Sequence, residues 1–237
     1  MAKTSQSRNG EPIVAHATDF KFIEAFNTLA INLKYSVKGT NKVLFTSSSP
    51  AEGKTTVSVN TAIALANQGN RVLLVDCDMR KPKIKKFFKL DSKTGLAEGI
   101  VGLEKFDKII QKSKIEGLEV VLAGNIPPSP ARLLSSPEMK KFLDDVTPKY
   151  DWIIFDTPPV NMVPDAVVLV NHNVAVVVIA DKRDATINDL TKSLDALKLA
   201  DANIIGIVMN NVESKGLKYK YKYRYKYSYY SGSDDND

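Results

Sequence analysis

Ser48-Ser-Pro-Ala-Glu-Gly-Lys-Thr55 follows a short apolar run, Lys42-Val-Leu-Phe-Thr46, and opens a helical stretch from Lys54 to Gln68 that Gly69 closes. The stretch fits G-x-x-x-x-G-K-[ST] except that Ser48 stands at the first glycine. A loop between strand and helix offers successive backbone N–H groups, and the positive end of the helix, to phosphate oxygens. Gly53 lets the backbone approach closely, Lys54 can reach β- and γ-phosphates, and the Thr55 hydroxyl can ligate Mg²⁺. Pro50, Ala51, Glu52, Gly53, Lys54, Thr55 and Thr56 are therefore the expected nucleotide-binding residues. The competing reading is a chance Gly-Lys-Thr in an ordinary turn, and the strand before it and helix after it count against that.

On either side of this loop, apolar runs alternate with helical stretches. Asp19 to Tyr35 carries Phe22, Ile23, Phe26, Leu29, Ala30 and Leu33 at helical spacing. Arg71–Asp76, Leu118–Leu122, Asp151–Asp156, Val174–Ala180 and Asn203–Asn210 read as strands, Pro137–Val146 and Ala185–Ala200 as helices. The strands are nearly continuous apolar runs, the pattern of a parallel sheet covered on both faces. The expected fold is a doubly wound, mostly parallel α/β domain over 18–213, after a disordered segment 1–17 and before a flexible tail 214–237.

Two further carboxylate groups end strands. Val72-Leu-Leu-Val-Asp-Cys-Asp-Met-Arg80 places Asp76 and Asp78 two residues apart, and Trp152-Ile-Ile-Phe-Asp156-Thr-Pro-Pro159 places Asp156 likewise. Ligands bind beyond the carboxyl ends of strands in open α/β sheets. Mg²⁺ is a hard cation that takes carboxylate and phosphate oxygens. Each group alone could cap a turn; three groups, each just past a strand, point to one site.

Composition narrows the classes. One cysteine, Cys77, excludes an internal disulfide framework and is too few for an iron–sulfur cluster within the chain. No apolar run approaches the roughly 20 residues of a membrane span, and Met1–Gly10 lacks an apolar signal core, so the chain reads as cytoplasmic. The net charge of +6 is too mild to imply a nucleic-acid partner.

The tail concentrates seven of the nine tyrosines: Tyr219, Tyr221, Tyr223, Tyr225, Tyr227, Tyr229 and Tyr230. From Lys218 onward it has five basic and three acidic residues, and no aliphatic residue follows Leu217. An edge strand with a tyrosine face and a stacking surface for single-stranded nucleic acid are the alternative readings to a string of modification sites.

With these motifs in hand, the chain resembles the bacterial tyrosine kinases of capsule and exopolysaccharide synthesis, over residues 20–230. The resemblance rests on a Walker A-like Ser48–Thr55, a Walker A′ Val72–Arg80 followed by Lys81-Pro82, a Walker B Ile153–Pro159 and the tyrosine cluster. It is to the Gram-positive form, in which kinase and membrane adaptor are separate chains. It implies a P-loop NTPase fold, ATP and Mg²⁺ as cofactors, and a catalytic set of Lys54, Asp76, Asp78 and Arg80. Thr55, Asp78 and Asp156 would hold the metal, and Asn210 would lie near adenine. Asp76 would orient a tyrosine hydroxyl and accept its proton, with the tail tyrosines as phosphoacceptors. The implied partners are the cytoplasmic segment of a transmembrane polysaccharide co-polymerase adaptor, further copies of the chain and a cognate phosphotyrosine phosphatase. Membrane association would come through the adaptor.

Two positions depart from the family's pattern. Its Glu-x-x-Arg-x-x-Arg motif for ring assembly reads Glu24, Asn27 and Ala30 here, which removes two guanidinium groups. Arg132 stands where the family tends to have Glu. A non-kinase ATPase switch of the partition and division-site type is the alternative. Those proteins usually carry a second lysine where this chain has Ser49, and they lack a tyrosine tail. A third reading is an ATP-binding scaffold that transfers no phosphate, against which the intact Lys54, Thr55, Asp76, Asp78 and Asp156 argue.

Overall fold

A computed structural model describes residues 20–90 and 92–212. The expectations for 1–17 and for the tail tyrosines lie outside the described residues.

Alternation along each central strand sets the layers. Val43 and Phe45 of β1 (Lys42–Ser47) face one side, with Val72 and Leu74 of β2 (Val72–Asp76) and Ile154 of β5 (Trp152–Asp156). Leu44, Leu73, Ile153 and Phe155 face the other. All these side chains are almost wholly buried, as a sheet covered on both faces requires. The first side is covered by α1 (Phe20–Ser36), α2 (Lys54–Asn67) and α3 (Ile84–Phe88). The second is covered by α4 (Leu96–Ile100), α5 (Phe106–Ile109), α6 (Pro130–Leu134), α7 (Pro137–Val146), α8 (Asp165–Leu169) and α9 (Ile187–Leu199).

Among the described residues seven strands form one sheet, ordered β3-β4-β2-β5-β1-β6-β7, with β3 (Ile110–Lys112), β4 (Leu118–Val121), β6 (Ala175–Asp181) and β7 (Asn203–Asn210) completing it. Every pairing is parallel except β3 with β4. The chain steps from β1 over β5 to β2, and later returns to the opposite side of β1 with β6. That reversal opens a crevice at the carboxyl ends of β1, β2 and β5.

The expected helices form within one or two residues of their expected ends. α2 is buried nearly all round because α1 lies on the side away from the sheet, and Ser58, Thr61, Ala62, Ala64 and Ala66 keep it slim. Gly69, at φ +81°, closes it by donating to the Ala66 carbonyl at 2.8 Å. α7 buries Met139, Phe142, Leu143 and Val146 as one stripe, and the Ser136 hydroxyl caps it by accepting from the Met139 N–H at 3.2 Å.

Three features differ from expectation. β3 and the four- and five-residue helices α4, α5, α6 and α8 fall where the sequence shows no periodicity, being too short to display one. The basic segment after Pro82 forms the five-residue α3, anchored by Ile84 and Phe88, with Lys83, Lys85, Lys86 and Lys89 exposed. β7 is half-exposed rather than buried, because it is the last strand of the sheet among the described residues. No helix of the described residues is long and apolar enough to cross a membrane.

Candidate active site

The loop after β1 holds its shape through its own side chains. The Ser47 hydroxyl donates to the Ser49 carbonyl at 2.8 Å, and the Ser49 N–H donates to Glu52 Oε2 at 2.8 Å. Gly53 adopts φ +89°, and a Cβ there would come within 2.1 Å of Asn210 Nδ2. The backbone therefore requires glycine at 53, and a Cβ there would also displace the Asn210 amide. Ala51 also sits in the left-handed region, at φ +68°. An alanine tolerates this at a cost of roughly 1–2 kcal/mol. Ala51→Gly should keep thermal stability within about 1 kcal/mol of the parent, since relief of strain offsets the freedom of an unfolded glycine. Ala51→Val, with its branched Cβ, should lower stability by about 1–2 kcal/mol. Thermal melts of the two variants check the difference.

The expected charged residues converge. Asp76 and Asp156 end adjacent parallel strands and are register partners, and β1, which leads into the phosphate loop, pairs with the other side of β5. Lys54 Nζ lies 2.9 Å from Asp78 Oδ2, both side chains more than nine-tenths buried. Burial alone would lower the Lys54 pKa, but Asp156, Asp78 and Asp76 around it raise it, so it is a fixed cation.

The carboxylates also shape the loop after β2. Asp76 accepts from the N–H groups of Asp78 and Ile84, and Asp78 from that of Lys81. Burial, and then the neighbouring Asp156, push the Asp76 pKa well above the ordinary carboxylate value. Burial lifts Asp156 to about 6 even though Lys54 opposes it. Thr55 and Ser58 temper that shift, yet neither hydroxyl reaches hydrogen-bond geometry, and both buried oxygens of Asp156 are without a hydrogen-bond partner. Cys77, between the two aspartates, is pushed up by burial and stays a thiol.

Asn210, at the end of β7, donates from Nδ2 to the Glu52 carbonyl at 3.0 Å, which ties the last strand to the phosphate loop. Lys182 N–H donates to the Asn210 carbonyl at 3.1 Å, and Asn211 Nδ2 to Asp181 Oδ2 at 2.6 Å, so that end of the sheet is fixed from both sides. Arg80, the outermost of the expected set, is half-exposed, and its side chain is bound by Asp165, a residue no sequence motif singled out. Glu24 and Asn27 bond to each other within α1 at 3.0 Å, and Ala30 is fully buried. Glu24 and Asn27 thus meet within one helix, and neither guanidinium of the ring motif is present. Arg132 is exposed on α6, and nothing in the structure explains its change from Glu.

The orphaned Asp156 oxygens, beside Asp78 and the Thr55 side chain at the head of α2, are the kind of buried oxygen set that a hard cation satisfies. Among the described residues no group of three His, Cys, Asp or Glu could hold a metal unaided. A cation here would complete its shell with water and phosphate, as Mg²⁺ does at nucleotide sites.

This fold and site define a P-loop nucleotide-binding domain that binds ATP. Residues 50–207 match the family described as AAA domain. The tyrosine-protein kinase YwqD of Bacillus subtilis is 34% identical over 189 residues, covering 79% of this chain and 80% of YwqD. The chain belongs to the bacterial tyrosine kinases of the capsule and exopolysaccharide type. The kinase domain of Escherichia coli tyrosine kinase Etk superposes with a TM-score of 0.82 at 28% identity, covering 91% of this chain and 84% of that one. The tyrosine-protein kinase Ptk of Acinetobacter johnsonii is 31% identical over 199 residues, 83% of this chain, which spans 27% of that longer protein. The septum site-determining protein MinD of Pyrococcus horikoshii, complexed with Mg-ADP, shares the fold alone, at a TM-score of 0.62 and 21% identity.

Proposed function

We propose that this chain is an ATP- and Mg²⁺-dependent protein-tyrosine kinase that phosphorylates its own C-terminal tyrosines and regulates polysaccharide synthesis with a membrane adaptor. The single observation behind this is the convergence of Lys54, Asp76, Asp78 and Asp156 on the phosphate loop of a chain whose tail carries seven tyrosines. In this reading Lys54 binds phosphate oxygens, and the backbone from Pro50 to Thr56 cradles them. Thr55, Asp78 and Asp156 would hold Mg²⁺, which supplies neutralisation of phosphate charge. Asp76 aligns the phenolic hydroxyl and takes its proton. A tyrosine near pKa 10 is a poor match for an ordinary carboxylate near 4. The raised pKa of Asp76 narrows that gap, and a loose transition state relies more on alignment and charge than on early deprotonation.

Each phosphate adds about −1.5 to −2 charges at neutral pH, so phosphates on all seven tyrosines would take residues 218–237 from +2 to about −9 to −12. That reversal favours release of the tail from the acidic site. The residues at 24, 27 and 30 do not support ring assembly through the family's motif, so self-association would use other surfaces. The adaptor's cytoplasmic segment is the expected activator and the link to the membrane, and a phosphatase would reset the tail.

The test is phosphotyrosine formation by the purified chain with Mg-ATP, with and without the cytoplasmic segment of the adaptor. Signal that maps to Tyr219–Tyr230 and grows with the segment is the expected result. ATP hydrolysis without phosphotyrosine under both conditions would favour the ATPase-switch alternative.

A further inference from the structure

Asp165 is fully buried, yet it carries no motif and caps no helix N–H, although it is the first residue of α8. Its carboxylate is spent on one partner. Arg80 Nε donates to Oδ2 at 2.9 Å and Nη2 to Oδ1 at 3.1 Å, a bidentate fork. Arg80 itself keeps 41% of its side chain exposed, and its remaining Nη N–H groups have no partner among the described residues. The two residues bridge separate arms of the site. Arg80 ends the arm that carries Asp76 and Asp78; Asp165 ends the arm that begins at Asp156.

The start of the second arm is tied to β1. Thr157 Oγ1 donates to the Phe45 carbonyl at 2.9 Å, Thr46 Oγ1 to the Pro158 carbonyl at 2.9 Å and Val160 N–H to the Ser47 carbonyl at 2.9 Å. These bonds lace residues 157–160 to the end of β1, where the phosphate loop starts. Asp165 is therefore held in the same frame as Lys54, and it fixes the plane of the Arg80 guanidinium within that frame. A planar fork with two of its donors immobilised presents the others in a set direction, which a lysine cannot do.

We propose that Asp165 is a positioning residue for phosphoryl transfer, holding Arg80 so that its free N–H groups meet the oxygens of the transferring phosphoryl group as a second cation beside Lys54. This rests on the kinase reading above. A cation aimed at charge that develops during transfer acts on the rate of the step more than on nucleotide affinity.

The test compares Asp165→Asn, Arg80→Lys, Arg80→Ala and the Asp165→Asn/Arg80→Ala pair with the parent, under the condition that supports parent transfer. Autophosphorylation kcat, KM for ATP, ATP Kd and thermal stability are read for each. Asp165→Asn and Arg80→Lys should each lower kcat about 10- to 100-fold, with KM and Kd for ATP within about 2-fold. In the Arg80→Ala background, Asp165→Asn should change kcat by less than about 2-fold, since both act through one guanidinium. A purely structural staple would lower melting temperature and leave kcat unchanged, and that result overturns the proposal. So does an Asp165→Asn effect that is undiminished without Arg80, or a loss of ATP affinity parallel to the loss of rate. Should Asp165→Asn not fold, Arg80→Lys decides alone: parent-like kcat refutes the proposal and a 10-fold or greater loss supports it. Absence of phosphotyrosine in the parent protein would instead reject the kinase reading and is distinguished by that control.

Discussion

Lys54→Met should lower phosphotyrosine formation by at least about 10²-fold, and the reason lies in what surrounds the ammonium. Lys54 is the cation at the centre of Asp76, Asp78 and Asp156, all buried. On the proposed reading its charge moves to phosphate when nucleotide binds, and loss of one such preorganised cation costs about 10²–10³-fold or more. The same substitution leaves buried carboxylates uncompensated, so stability should also fall, by up to about 3 kcal/mol at neutral pH. That deficit should shrink on acidification, as the carboxyls protonate. Asp76→Asn should behave differently: transfer falls, while ATP binding stays near that of the parent. Nucleotide titration and melts across pH, run beside the kinase assay, read all of these. Equal loss of ATP affinity in the two variants would contradict the roles assigned to Lys54 and Asp76.

The second large effect has opposite signs for stability and activity. Asp156 titrates near 6 in the folded chain, against about 4 when unfolded, chiefly through burial. The folded form therefore holds its proton more tightly between those values. Stability from this group is highest at or below about pH 4 and is lost as pH rises through about 6; Asp76 is shifted in the same direction. Two pKa units correspond to about 3 kcal/mol. Burying an unpaired amide offsets part of this, so Asp156→Asn should stabilise the nucleotide-free, chelated protein at pH 8 by about 1–2 kcal/mol. Its melting temperature should vary less between pH 5 and 8 than that of the parent. The variant should also lose Mg²⁺-dependent transfer, because the oxygens left without partners are those a cation would satisfy. A less stable Asp156→Asn at pH 8 would mean that the carboxylate is compensated by contacts other than Lys54.

The sheet was legible in the sequence because parallel strands covered on both faces are continuous apolar runs, and the site because each strand ends in its charged or loop residues. Lys54, Asp76, Asp78 and Asp156 announce themselves by position and do meet in space. Asp165 does not, since its role depends on the loop 157–164 folding back onto β1, a long-range arrangement with no local pattern. The left-handed Ala51 was hidden for a related reason: glycine advertises such a conformation and alanine does not. β3 has three residues, of which Gln111 and Lys112 are polar, and its pairing comes from β4 rather than from its own composition. The exposure of β7 follows from sheet order, which an apolar run cannot report.

The hydrogen bond from Asn210 to the phosphate loop fixes more than a strand end. Tyr219 lies nine residues beyond Asn210 in the sequence, so the tyrosines that the kinase reading makes phosphoacceptors are tethered near the phosphate loop of their own chain. For tethers of this size the effective concentration at the anchor is in the millimolar range. On the kinase reading, a free tyrosine peptide would need to approach that concentration before it competed with the tail. Dilution should leave the rate per molecule unchanged where a chain modifies itself, and lower it in proportion where two chains must meet.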